Sequence, residues 1–244
     1  MTQPLNVIML GAPASGKGTQ AERLARARGI PKISTGDILR DAAQAGAPLG
    51  LKAKALIDRG ELVDDETMVG IVKERLQRPD TASGFILDGF PRTVAQAEAL
   101  DRILNGRGPL IVVELWVPKE ELTQRMEDRR VCSQCRSNAD PEAPASDTCA
   151  RCGGKMVTRA DDGDATVRLH RLDVYSRESP PLLDFYRQRP AFRSISGAQS
   201  PDQVEADLMS AIESVQSPSV GVGSQGRAGR DQGPSAASER RMRP

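Results

Sequence analysis

Ten residues near the start of the chain, Gly11-Ala12-Pro13-Ala14-Ser15-Gly16-Lys17-Gly18-Thr19-Gln20, have the types and spacing to hold a phosphate group. They follow the apolar run Leu5-Asn6-Val7-Ile8-Met9-Leu10, so a strand ending in glycine hands over to a helix. Backbone N–H groups and the positive end of the helix dipole then face one cavity. Gly11 and Gly16 let the backbone approach oxygen atoms closely, and Lys17 carries an ammonium to the outer phosphates. Gly18 stands where Ser or Thr usually ligates magnesium, so that role moves to Thr19 or to water. A methyl at Ala14 is tolerable only if the residue needs no positive φ.

Phosphoryl transfer between two nucleotides crowds negative oxygens together, so catalysis calls for converging guanidinium groups. Candidates are Arg40 after Ser34-Thr35-Gly36-Asp37, and Arg92 in Asp88-Gly89-Phe90-Pro91-Arg92-Thr93. Arg125 and Arg129 lie four apart on one expected helical face, Arg159 precedes Asp161-Asp162, and Arg171 follows Val167-Arg168-Leu169-His170. Each alone reads sooner as a surface arginine in an ion pair, and it is their conjunction with the phosphate loop that points to chemistry. Asp88 ends a strand beside the phosphate loop, which suits a carboxylate that orients magnesium; a helix cap or a salt bridge is the other reading. His170, the single histidine, lies between arginines and reads as solvated. A Ser-His-Asp or Cys-His nucleophile would need that one imidazole, so hydrolase chemistry falls away.

All four cysteines form two knuckles, Cys132-Ser133-Gln134-Cys135 and Cys149-Ala150-Arg151-Cys152, followed by Gly153-Gly154. That spacing makes a tetrahedral thiolate site for zinc, closed and structural because no position is left open. Paired disulfides or a redox dithiol are the other readings of the same residues, and a reducing cytosol disfavours the first.

Short apolar runs alternating with amphipathic stretches must position these groups, which is the pattern of an α/β fold with a parallel sheet covered by helices. Strands are expected at Asn6–Leu10, Pro31–Ser34, Gly84–Asp88, Leu110–Val117 and Phe192–Ser196. Helices are expected at Lys17–Arg28, Gly36–Gln44, Leu49–Arg59, Asp64–Gln77, Thr93–Leu104, Lys119–Arg129, Ala165–Arg189 and Pro201–Val215, with Pro180-Pro181 interrupting the seventh. The stretch 131–164 breaks the rhythm and reads as an inserted lid. From Gln216 the composition turns to Ser, Gly, Pro, Gln and Arg with little apolar content, so 216–244 is expected to be a disordered tail.

Composition excludes several classes. Lys plus Arg number 34 against 33 Asp plus Glu, a net charge of +1 that gives no general attraction to nucleic acid or acidic membranes. Aromatic residues are 3%, too few for base-stacking platforms. No apolar stretch approaches the about 20 residues of a membrane span, and no basic region followed by an apolar signal core begins the chain, so a cytoplasmic protein is expected.

The motifs Gly-x-Pro-x-x-Gly-Lys-Gly-Thr, Ser-Thr-Gly-Asp and Asp-Gly-Phe-Pro-Arg-Thr occur in an order and at separations that resemble the bacterial adenylate kinases of the long-lid, zinc-bearing type, from about Asn6 to Val215. The resemblance implies a P-loop fold with a five-stranded parallel sheet. Its core would be 1–33, 64–130 and 165–215, its AMP-binding part 34–63 and its zinc lid 131–164. It implies transfer of the terminal phosphoryl group of Mg-ATP to AMP, giving two ADP, by a protein that is usually a monomer. ATP would be held by Gly11, Ala12, Pro13, Ala14, Ser15, Gly16, Lys17, Gly18, Thr19, Arg125 and Arg129. AMP would be held by Thr35, Arg40, Glu61, Leu62, Val63, Gly89, Arg92, Gln96, Arg159 and Arg171. The resemblance assigns catalysis to Lys17, Asp88, Arg92, Arg129, Arg159 and Arg171, and the metal to Cys132, Cys135, Cys149 and Cys152. The loop Arg136–Thr148 is shorter than in such relatives, and Ala14 replaces their usual glycine. A kinase for UMP, CMP or GMP shares the same motifs. A non-enzymatic zinc-ribbon module that binds nucleotide or nucleic acid is a rival that charge and aromatic content oppose.

Overall fold

The computed structural model describes residues 3–139, 143, 144, 146–159 and 162–216. Five parallel strands form the main sheet: β1 (Leu5–Leu10), β2 (Lys32–Ser34), β3 (Gly84–Asp88), β4 (Leu110–Trp116) and, from the C-terminal part, Phe192–Ser196. Residues 130–158 contribute a separate antiparallel pair, β5 (Arg130–Cys132) and β6 (Met156–Thr158), which makes the last strand of the main sheet β7. The spatial order is β2-β3-β1-β4-β7. The central strand β1 has every residue buried, and its side chains divide by parity between the two faces.

On one face Ile8, Leu10, Ile33, Phe85, Leu87 and Val112 pack against helices α2 (Thr35–Gln44), α3 (Pro48–Asp58), α4 (Asp65–Leu76), α5 (Val94–Ile103) and α7 (Ala165–Arg187). On the other, Val7, Met9, Ile86, Ile111 and Val113 meet Ala21 and Leu24 of α1 (Lys17–Arg28) and Val204, Leu208 and Ile212 of α8 (Pro201–Gln216). The result is a three-layer α/β domain. Phosphate loop and Asp88 both lie at the carboxyl edge, where the connection leaving β1 runs to β2 on one side and the connection leaving β3 runs to β4 on the other.

Three expectations need correction. The helix over 165–187 runs continuously through Pro180 and Pro181. Proline inside a helix forfeits an amide donor and costs about 3 kcal/mol, but Leu182, Leu183 and Tyr186 after the pair and Leu172 and Val174 before it are buried, and that burial holds the axis together. The helix expected to reach Arg129 is α6 (Lys119–Glu127), capped at Asp128, because Arg130 already pairs with Thr158 in the two-stranded hairpin. Gln216 closes α8 rather than opening the tail. The rest of that expected tail, 217–244, lies outside the described residues, and among them no helix is long and apolar enough to cross a membrane.

Candidate active site

The turn from β1 into α1 places Gly11, Pro13, Ala14, Ser15, Gly16, Lys17, Gly18 and Thr19 along one wall of a large cleft. Gly11 has φ +139, and a Cβ there would lie 2.3 Å from the Leu115 carbonyl of β4, so only glycine fits between the strands. Ala12 differs from its neighbours: its methyl is buried against Leu122, Met126 and Leu172, while its carbonyl faces the loop. Ala14 does adopt a positive φ, +63. The condition set for a methyl at that position is therefore not met, and the loop carries a left-handed alanine at a cost of about 1 kcal/mol.

Lys17 Nζ donates to the carbonyls of Gly11 at 2.7 Å and Ala12 at 2.6 Å, curling the side chain over its own loop. Burial disfavours its charge most, Asp88 favours it, and Arg92, Arg129 and Arg171 repel it, with the outcome that its pKa falls from 10.5 to about 7. An enclosed lysine facing three arginines is a strongly electropositive centre. It is built to meet a polyanion.

Beside it, all ten residues expected around AMP, namely Thr35, Arg40, Glu61, Leu62, Val63, Gly89, Arg92, Gln96, Arg159 and Arg171, line a single second cavity. Thr35 begins α2 and donates from Oγ1 to the Gly89 carbonyl at 3.1 Å, which ties α2 to the end of β3. Ser34 caps that helix by accepting the Asp37 amide. Arg40 donates to Asp37 Oδ1 at 2.5 Å. Burial works against the Asp37 charge, but Arg40 overrides it and the carboxyl sits below its ordinary pKa. Arg92 Nε donates to the Gly89 carbonyl at 2.9 Å. Gln96, buried, accepts the Arg92 amide at 2.8 Å and donates to Asp65 at 2.7 Å.

The four cysteine sulfurs all lie within 4.8 Å of one another, with Cys132 and Cys152 at 3.4 Å and Cys135 and Cys149 at 3.6 Å. A tetrahedral ion with bonds of about 2.3 Å separates its thiolates by about 3.8 Å, so this donor set fits a four-coordinate zinc, and no disulfide joins any of the four. The amides of Cys135 and Gln134 point at Cys132 Sγ at 3.4 Å each, and these contacts, the Cys135 amide foremost, hold that thiol below its ordinary pKa. Gly154 is required by close approach: a Cβ there would come within 2.9 Å of Cys132 Sγ.

A family model described as "Adenylate kinase" matches residues 9–191. The chain belongs to the adenylate kinase family. It is 45% identical over 218 residues to an adenylate kinase of Archaeoglobus fulgidus, covering 87% of this chain and 100% of that protein. An adenylate kinase of Geobacillus sp. strain WCH70 gives the same figures, and that of Bacillus subtilis strain 168 is 46% identical over 211 residues, 84% of this chain and 96% of its own. Membership makes this chain a nucleoside monophosphate kinase, which converts ATP and AMP into two ADP.

Within the cleft the arginines meet through a residue that sequence reasoning passed over. Asp162, fully buried, is shared by Arg129, whose Nε donates to Oδ2 at 2.6 Å, and Arg171, which pairs with Oδ1. It fixes the geometry of two guanidinium groups at once. Arg125 and Arg129 do not share a helical face, since α6 ends between them: Arg125 instead pairs with Glu121 at 2.5 Å and donates to the Gly197 carbonyl at 2.8 Å. The loop from Gly197 to Pro201 borders the cleft beside Arg125. Its position after β7, at the carboxyl edge, was the signal available for it in sequence. Asp88 also borders the cleft, its Oδ2 close to Gly18. His170 is exposed and takes no part in the constellation.

Proposed function

We propose that this chain transfers the terminal phosphoryl group of Mg-ATP to AMP through an ATP site on the loop 11–19 and an AMP site in the cavity bounded by α2, α3 and the end of β3. One observation carries the reading: a lysine-bearing loop and an arginine-rich cavity adjoin, with Arg40, Arg92, Arg159 and Arg171 bordering both. The AMP phosphate is its own nucleophile, so no general base is called for. Lys17 and the loop amides would bind the ATP phosphates. Arg40 and Arg92 would hold the AMP phosphate, while Gln96, Gly89 and the segment Glu61–Val63 would define the space for its base. Arg129, Arg159 and Arg171 would neutralise charge as the phosphoryl group moves. Magnesium arriving with ATP would supply Lewis-acid stabilisation of phosphate charge, and Asp88 and Thr19 would hold its water shell.

Residues 34–63 act as the AMP-binding part and 131–164 as a lid, closing over their nucleotides to exclude water that would otherwise hydrolyse ATP. Cys132, Cys135, Cys149 and Cys152 would hold a structural zinc that staples the lid, which is too small for a core of its own. Each cavity is complete within one chain, which suits a monomer, and a four-thiolate zinc site suits a reducing, cytoplasmic setting. Incubation with Mg-ATP and AMP should yield ADP, and Lys17→Ala should abolish it. Undiminished ADP from that variant would reject the assignment. A panel of AMP, UMP, CMP and GMP as acceptors tests the base preference, with a preference for any acceptor but AMP overturning it.

A further inference from the structure

Arg136 borders the large cleft without belonging to either set of nucleotide residues, and the chain holds it in a conformation that arginine avoids. It follows Cys135 at the turn of the first knuckle with φ +58, the left-handed region, and the equivalent place after Cys152 is filled by Gly153 at φ +73. Glycine takes that conformation without cost, so an arginine there trades backbone ease for a side chain. The side chain reaches out of the cysteine-bearing insert to α2. Its NH1 donates to the Asp37 carbonyl at 3.2 Å, and its NH2 donates to Gln44 Oε1 at 3.1 Å and pairs with Asp41 Oδ1 at 2.8 Å. Asp37 in turn carries Arg40 on its carboxylate. The other knuckle's arginine, Arg151, goes elsewhere, to Glu22 of α1 at 3.0 Å.

We propose that Arg136 is a positioning residue that fastens the zinc lid to the AMP-binding helix, so that closure over ATP also sets α2 and Arg40 for AMP. The inference rests on the site assignment above. Its physical basis is that three contacts from one guanidinium exist only when the lid and α2 are together, and a contact present in one arrangement alone shifts the equilibrium toward it. ATP, by favouring the closed lid, therefore raises the affinity for AMP. By reciprocity AMP raises the affinity for ATP to the same extent.

The test is the affinity for AMP, measured by calorimetry on the zinc-loaded full chain with and without a nonhydrolysable ATP analogue bridged by methylene between its outer phosphates. In the wild type the analogue should tighten AMP. Arg136→Gly should cut that gain about five- to tenfold while leaving AMP affinity in the absence of the analogue unchanged. Because glycine suits the backbone there, the thermal midpoint should not drop, which separates the lost contact from a damaged lid. Asp41→Ala, altered on the α2 side and away from the zinc knuckles, should show a smaller loss of the same sign, about threefold. Arg136→Lys keeps the charge facing Asp41 without the fork and should fall between. An unaltered gain in Arg136→Gly, or no gain in the wild type, overturns the proposal. Failure of the site assignment gives a different result: no turnover and no AMP binding by the wild type.

Discussion

Lys17 offers the sharpest test of the electrostatic account. In the free protein its pKa is lowered to about 7, chiefly by burial and against the pull of Asp88. A triphosphate arriving at the loop surrounds the ammonium with negative oxygens and drives the pKa back up, so the complex holds a proton that the free protein has partly lost. The uptake follows from the titration curve: about 0.1 proton per ATP at pH 6, about 0.5 at pH 7 and about 0.9 at pH 8. The protonated lysine is the form that binds, so affinity weakens as pH rises. The dissociation constant should grow about fivefold from pH 7 to 8 and about tenfold more from 8 to 9. Isothermal calorimetry in buffers of low and high ionisation heat reads the uptake directly. Lys17→Arg, charged throughout this range, should show neither the uptake nor the slope. A wild type whose affinity is flat between pH 7 and 9, with no buffer-dependent heat, would refute the claim that burial strips this lysine of its proton.

Three further outcomes are expected. Ala14→Gly, at φ +63, removes about 1 kcal/mol of left-handed cost and restores about 0.5 kcal/mol of chain freedom to be lost on folding, so calorimetry should show a midpoint higher by about 1–2 °C, whereas the same change at the buried Ala12 should lower it. Elemental analysis should find one zinc per chain, and stripping it with a chelator should lower the thermal midpoint; Gly154→Ala, which forces a Cβ against Cys132 Sγ, should weaken zinc retention in a competition assay with a chromogenic chelator. Asp162→Asn withdraws the carboxylate that Arg129 and Arg171 share and should destabilise the protein by about 3 kcal/mol in urea titration, with kcat/KM falling more than tenfold in a coupled ADP assay; unchanged values would show that neither arginine depends on it.

The sheet was largely legible in sequence because its strands are short apolar runs bounded by Gly and Pro, and their observed limits depart from the expected ones by single residues. The Pro180-Pro181 pair misled because a local rule cannot see the burial of Leu182, Leu183 and Tyr186, which outweighs two missing amides. The strands β5 and β6 were missed because they sit inside the insert, whose cysteines, prolines and acidic residues break the alternating apolar pattern. At the site, glycine and arginine motifs announce themselves through fixed spacing, and the AMP residues indeed gather in one cavity. Asp162, Asp65 and Arg136 left no such trace. Their importance lies in partners 33, 31 and 99 positions away in the chain, and pairing at that range is set by the fold alone. Ala14 was read in the right terms, though the outcome went the other way: the strain is present and tolerated.

The hairpin that carries the cysteines leaves and rejoins the rest of the chain through residues that face each other, Arg130 paired with Thr158. Such an excursion returns to its own starting point, and whatever lies between those two residues is invisible to the sheet. Loop length, metal ligands or the metal itself can change across that doorway with the flanking helices left in place. This architecture makes the cap a transplantable part: grafting one from another such enzyme between 130 and 158 requires matching that residue pair and the side-chain contacts that Arg136 and Arg151 make with α2 and α1, rather than redesigning a core.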